Sequence, residues 1–467
     1  MTYSLDSTLN LNQIEYVLYH LNLTFRLNQR LKNQITFLSD TDKIRDADGS
    51  IIFPLSSRPL NMDRIQWIED IPVLFPCSEE SSFYAVTQDK LLFHHDLLKS
   101  AFYLLSGYQE YYSYKKDHLN RYPYTESIQY KLGIPHRPIV NYYFEIIRNG
   151  INDFYNERSV VVEKRLLFNE FGFMLTHDVD KVDFYDIHRI KLLLKQLFGL
   201  YKTKKPKASL IKSLYKSLVQ YLNIKNKENP YWNFDYLREI EEREGFSSVY
   251  YFLHKDQKHV DSYYDFHEKR IKNLIRWLEK EGCEIGIHGT VKSSSDYDNS
   301  KYYLERLNSV TSKSVEGIRQ HRLVYDHLVT TRIHEKLDFA YDATLGFAEH
   351  EGFRHSFCLP FKLYDFENDR MFDVWEIPLN VMDVTLFHYR NLDLNSAQSV
   401  LKGVLKEIKQ FNGIFSLLWH NTFFNEDEIP GITKFYEDTL QMIQNNHPES
   451  VRGTDIVKRL TKLDTEG

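Results

Sequence analysis

The sequence predicts an α/β protein in which a parallel sheet flanked by helices occupies the C-terminal two thirds, preceded by a smaller mixed α+β domain. Three observations carry this. The chain has 467 residues, more than one core usually organises, so two domains are expected. From about Lys164 onward, short apolar runs alternate with helical patterns, as in a parallel sheet, open or closed into a barrel. Before that point no such alternation exists. Residues 14–23 are apolar and aromatic. Residues 91–112 show one long helical pattern, with Leu97, Leu98, Ala101, Phe102, Leu104, Leu105 and Tyr108 near helical spacing. Residues 121–138 are polar and marked by prolines. The expected domains are residues 1–165 and 166–467.

In the C-terminal part, strands are expected over residues 171–176, 246–253, 284–288, 315–319, 339–342, 374–381 and 413–420. Asn233 is a plausible N-cap for a helix over residues 234–244, closed by Gly245. Residues 266–281 place Ile271, Leu274, Ile275 and Leu278 on one helical face. In parallel α/β folds chemistry collects at the C-terminal strand ends. The polar residues at those ends are Asp178, His288, Arg319, Asp342 and His420, which are expected to converge on one rim. Residues 186–228 interrupt the pattern with a lysine- and leucine-rich insertion in which Lys202, Lys204, Lys205 and Lys207 cluster. A solvated helical insertion is the plainer reading. A basic amphipathic segment in peripheral contact with an anionic membrane is the functional one.

Composition narrows the classes. The net charge of −6 provides no overall attraction to nucleic acid. Cys77, Cys283 and Cys358 are scattered and odd in number, against a disulfide framework or a cysteine zinc site. No basic-then-apolar leader and no membrane-spanning run is visible, so a cytoplasmic location is expected, at the inner face of the membrane if the insertion binds lipid. His94 and His95 are adjacent and read as structural.

At the strand ends, Asp178 and Asp180 stand two apart, a spacing that lets one carboxylate hold a divalent cation while the other takes a proton from water. His288 has the character of a metal ligand, with Gly286 and Gly289 allowing close backbone approach. His420 titrates near neutrality and suits protonation of a leaving amine. Arg319 near two carboxylates would hold one ionised.

Read together, Thr176-His177-Asp178-Val179-Asp180, Glu284-Ile285-Gly286-Ile287-His288, Gly317-Ile318-Arg319 and Leu418-Trp419-His420 resemble the ordered motifs of the NodB-homology polysaccharide deacetylases. This is a carbohydrate esterase family with a distorted (β/α) barrel, and the resemblance covers about residues 171–461. It implies Asp178 as general base, Asp180 and His288 as metal ligands, Arg319 as partner of the catalytic aspartate, and His420 as general acid. It also implies Asp342 as the aspartate that tunes His420. A backbone amide near Arg322 would stabilise the oxyanion. The implied activity is metal-dependent removal of N-acetyl groups from a carbohydrate, with zinc as the metal and cobalt or manganese as alternatives. The implied partner is an N-acetylated glycan or a lipid-linked saccharide. Two departures stand out. Lys292 occupies the place of the family's second histidine, and Gln320-His321-Arg322 replaces its usual residues after the arginine. His321 or His350 is expected to supply the missing ligand. A glycan-binding pseudoenzyme and a metal-independent amide hydrolase on the same fold are the alternative functions. The phrases around Arg319, Tyr341 to Arg354 and Trp375-Glu376-Ile377-Pro378-Leu379 resemble a bacterial subgroup with an uncharacterised N-terminal domain, associated with surface-polysaccharide loci.

Overall fold

The computed structural model describes residues 7–38, 50–155, 162–203, 206–222, 229–256, 262–426 and 428–465. Its main sheet runs in the order Phe361–Asp365, Arg370–Glu376, Tyr341–Asp342, Gly317–Gln320, Glu284–Gly289, Ser248–Leu253, Gly172–Val179, Ile414–Leu418, Val381–Met382. All neighbours are parallel except the Phe361–Asp365/Arg370–Glu376 hairpin. Strand Arg370–Glu376 and edge strand Val381–Met382 stand seven places apart in this order. In a flat sheet that is about 34 Å at ~4.8 Å per step. Only Ile377, Pro378, Leu379 and Asn380 join them, a reach of at most about 18 Å. The sheet must therefore curl until the two lie close, which makes it a distorted barrel. The expected strand over residues 374–381 is in fact two strands, split where Pro378 cannot donate to a ladder.

Successive strand residues alternate between two environments. Met174, Val249, Tyr251, Tyr341 and Trp375 point into the barrel and join a core that extends to the N-terminal helix Leu11–Asn22. Phe173, Leu175, Tyr250 and Phe252 point outward beneath the flanking helices. The alternation follows from the two-residue period of a strand. It decides which strand-end residues can meet.

The N-terminal part holds a four-stranded sheet in the order Ile35–Leu38, Ile51–Pro54, Leu91–Phe93, Tyr84–Val86. The single helix expected over residues 91–112 is a strand and two helices, Leu97–Leu105 and Tyr108–Tyr111. Asp96 starts the first helix by accepting from the Lys99 amide at 2.7 Å. Gly107 at φ 83° breaks it, and a side chain there would run into the His327 ring. His95 is buried and reaches the Glu80 carbonyl at 3.1 Å, a structural contact.

Residues 107–138 wrap against the barrel loops. Arg354 donates to Glu110 at 2.7 Å and both are buried. Gln129 donates to the Arg354 carbonyl at 2.8 Å. The insertion folds as helices Ile187–Leu197 and Lys207–Leu222 packed together as a hairpin. Lys204, Lys205 and residues 223–228 lie outside the described residues. No helix among the described residues is long and apolar enough to cross a membrane.

Candidate metal centre and its neighbours

Asp178 closes the strand Gly172–Val179 and Asp180 follows it. His288 ends Glu284–Gly289, and His321 opens the turn after Gly317–Gln320. The sheet register pairs His288 with Arg319 and Asp178 with Tyr251, so all these side chains point to the interior rim. Asp180 Oδ1 lies 3.3 Å from His288 Nε2, and Asp180 Oδ2 lies 3.6 Å from His321 Nε2. One atom from each of Asp180, His288 and His321 falls within 4.8 Å of the others.

A cation fits this donor set. Asp180 Oδ1 and His288 Nε2 are buried and make no hydrogen bond. His288 Nδ1 sits 2.8 Å from the Arg319 carbonyl. A carbonyl only accepts, so Nδ1 carries a proton, which leaves Nε2 as the atom that would offer its lone pair to a cation. Ligand atoms on a tetrahedral zinc, each ~2.0–2.1 Å from the ion, stand about 3.3 Å apart, close to the spacings seen here. Burial opposes a charge on Asp180, but the rings of His321 and His288 override it and hold the carboxyl well below its usual range.

Arg319 is fully buried at 0% exposure. It donates to Asp178 Oδ1 at 3.0 Å, Thr176 Oγ1 at 2.8 Å and the Ala343 carbonyl at 2.8 Å, and it lies 4.6 Å over the Tyr251 ring. A buried guanidinium persists only when paired this way. Gly286 abuts the Tyr251 ring, where an added Cβ would come to 2.4 Å, and Gly289 abuts Gln320 and Ser293. The two glycines flanking His288 thus serve the close packing expected of them.

His420 Nδ1 pairs with Asp383 Oδ1 at 2.8 Å, and its amide donates to Asp383 Oδ2 at 2.6 Å. Its Nε2 faces Asp180 Oδ2 at 3.9 Å. Burial works against the charged ring, but the carboxylates of Asp383, Asp180 and Asp178 outweigh it and push the pKa up to about 10.

Two expectations need correction. Asp342 is not the partner of His420. It registers with Ile318, which packs outward, one residue out of phase with inward Arg319. Its carboxylate accepts from Thr344 N at 2.7 Å and faces His334 Nδ1 at 2.8 Å. Asp383 holds the position next to His420 instead. It follows Val381-Met382 as the other polar residues follow their runs, but reading residues 374–381 as one strand hid its turn. His350 does not join Asp180. It forms a second cluster with His136 and Glu351, stacks on Tyr124 at 4.5 Å and contacts Arg390 at 3.1 Å. Arg390 brings the positive charge there itself. Lys292 is exposed and pairs with Asp296 at 2.9 Å, and the third group facing Asp180 comes from His321.

The turn that carries His321 continues through Arg322 and Leu323 at φ 58° and 55°, costly for residues with a Cβ. It is pinned from several sides. The Gln320 amide donates to Thr344 Oγ1 at 2.9 Å, Gln320 Nε2 meets His334 Nε2 at 2.8 Å, and Arg121 of the N-terminal part donates to the Arg322 carbonyl at 2.9 Å. His177, inside the first motif, has a structural role that the motif does not reveal. It points outward, bridges the Trp419 carbonyl at 2.6 Å and Glu241 at 2.7 Å, and so locks the Asp178 strand to the start of the His420 turn.

No curated protein matches the chain by sequence. Residues 3–156 match a family described as of unknown function, DUF7033. Among solved structures, a protein assigned as a polysaccharide deacetylase from Mycobacterium smegmatis is similar at 16% identity and TM-score 0.42, over 63% of this chain and 91% of that one. Puue allantoinase is similar at 10% identity and TM-score 0.39, over 62% and 90%. A CE4 family pseudoenzyme from Bacillus anthracis is similar at 9% identity and TM-score 0.31, over 62% and 66%. Residues 3–156 are similar to a family of unknown function, and 62–63% of the chain is similar in fold to solved structures assigned as polysaccharide deacetylases.

Proposed function

We propose that the C-terminal barrel is a metal-dependent hydrolase that removes N-acetyl groups from a carbohydrate. The observation that carries this reading is one arrangement. Asp180, His288 and His321 face one another, flanked by two separately paired groups, Asp178 with Arg319 and His420 with Asp383.

Asp180, His288 and His321 would hold the divalent cation, zinc first by donor chemistry, with cobalt or manganese alternatives. Bound there, the cation would polarise the acetamide carbonyl and make an attacking water more acidic. Asp178 takes the proton from that water, and Arg319 keeps it ionised and oriented for the task. A backbone amide in the left-handed turn at Arg322 and Leu323 donates to the developing oxyanion. His420, held by Asp383 in its protonated form, gives its Nε2 proton to the departing sugar amine. Acetate leaves and an amino sugar remains.

Lys292, standing where a ligand is expected, favours a binding-only module. His321, facing Asp180 at 3.6 Å, offers the group that Lys292 does not. The test is acetate release from N-acetylated oligosaccharides, with and without a chelator, alongside metal analysis of the protein. Stoichiometric metal with chelator-sensitive release supports the reading. Sugar binding without metal or release would replace it with a glycan-binding module.

A further inference from the structure

The hairpin Ile187–Leu197/Lys207–Leu222 has its surface inverted. Of the 21 large apolar side chains most exposed among the described residues, 11 lie between Ile187 and Leu222. At its tip Phe198, Leu200 and Tyr201 are 73%, 78% and 57% exposed. Along the second helix Ile211, Tyr215, Leu218 and Leu222 recur at steps of four, three and four, one stripe on one face, and all four are exposed. A helix packed only on its own protein turns such a stripe inward. Here the buried contacts are few: Ile190, Leu193, Leu210 and Ser217.

Charge accompanies the apolar surface. Residues 187–227 contain 11 lysines and arginines and no aspartate or glutamate, in a chain whose net charge is −6. Lys195 and Lys202 flank the apolar tip, and Lys207 and Lys212 lie beside the stripe, all exposed. Exposed apolar groups ringed by cations, with no anion among them, suit a surface that is apolar inside and anionic outside. An acidic protein would match the charge but not call for an aromatic tip. A second copy of this hairpin would bring like charges together.

We propose that this hairpin docks the protein on an anionic lipid bilayer, with Phe198, Leu200 and Tyr201 entering the acyl boundary and the lysines resting on phosphate headgroups. Five residues lie between Asp180 and Asp186, the N-cap of the hairpin, so the proposed metal centre lies within about 20 Å of its root. Docking would therefore present the rim to a glycan carried on a lipid. That consequence rests on the deacetylase reading, whereas the docking does not.

The experiment is co-sedimentation of the full chain with vesicles of phosphatidylcholine and phosphatidylglycerol, and with phosphatidylcholine alone. Binding to the mixed vesicles, falling as salt rises, and none to the neutral ones is expected. Lys202→Ser/Lys207→Ser/Lys212→Ser should weaken binding about 100-fold, roughly fivefold per lysine. Phe198→Ser/Leu200→Ser/Tyr201→Ser should abolish sedimentation while thermal unfolding stays unchanged, because these residues are exposed. No vesicle binding by the wild-type chain, or binding unaltered by both variants, overturns the proposal. So does light scattering that shows a dimer which the tip variant converts to monomer. Because no turnover is measured, the result stands apart from whether the barrel hydrolyses anything.

Discussion

Replacing His321 by alanine tests the proposed metal centre at the point where the sequence left it open. Its Nε2 stands 3.6 Å from Asp180 Oδ2, and its ring centroid is 5.2 Å from that of His288. Removing the ring leaves two protein ligands, Asp180 and His288. Loss of a group that merely orients a ligand costs about 10–100-fold in metal affinity. Loss of a ligand should therefore cost at least about 100-fold, or ~2.7 kcal/mol. The assay is competition for zinc between the protein and a chromophoric chelator, run on the wild type, His321→Ala, His350→Ala and Lys292→Ala. His321→Ala alone should lose affinity. His350 is engaged with Arg390 and Tyr124, and Lys292 with Asp296, so their variants should bind as the wild type does. Undiminished affinity in His321→Ala, or a loss in His350→Ala, would refute the assignment.

Asp383→Asn keeps the shape beside His420 but removes its charge, so kcat should fall about 100-fold or more while metal content holds. Asp342→Asn should leave kcat nearly unchanged, and the reverse pattern would return the role to Asp342. Gly286→Ala would drive a Cβ to 2.4 Å from the Tyr251 ring, lowering stability by about 1–3 kcal/mol in thermal unfolding. Gly403→Ala, in the helix Leu394–Gln410 with open space around it, should instead stabilise by up to about 1 kcal/mol. Burial opposes ionisation of Glu110, yet Arg354 holds its carboxyl down at about 2. A depressed carboxylate contributes stability above its unfolded pKa of about 4.5 and loses it as pH falls toward 2. The contribution is about 3 kcal/mol, and acid titration of unfolding should show Glu110→Gln far less sensitive to pH across that window than the wild type.

Much of this molecule was legible in its residues. Alternating apolar runs and helices dictate a parallel sheet, and a parallel sheet brings its C-terminal ends to one edge. Asp178, Asp180, His288, Arg319 and His420 could therefore be gathered from positions spanning more than half the chain. Composition likewise exposed the basic insertion, because its density of lysine and leucine is a property of sequence alone.

What remained was decided in three dimensions. A strand's two-residue period makes a shift of one position an exchange of faces, so Asp342 looks outward to His334 while Asp383 meets His420. Sequence spacing does not report that phase between strands, which the register alone sets. His321 and His350 are equivalent as nearby histidines. Only the left-handed turn pinned by Gln320, Thr344 and Arg121 aims one of them at Asp180. The curl of the sheet depends on the four residues joining two strands seven places apart, a constraint that appears only once strand order is known. The sequence thus determines which chemical groups the rim can hold, through patterns local to each strand. The tertiary structure decides which of them touch, because contact depends on register and curvature between segments far apart in the chain.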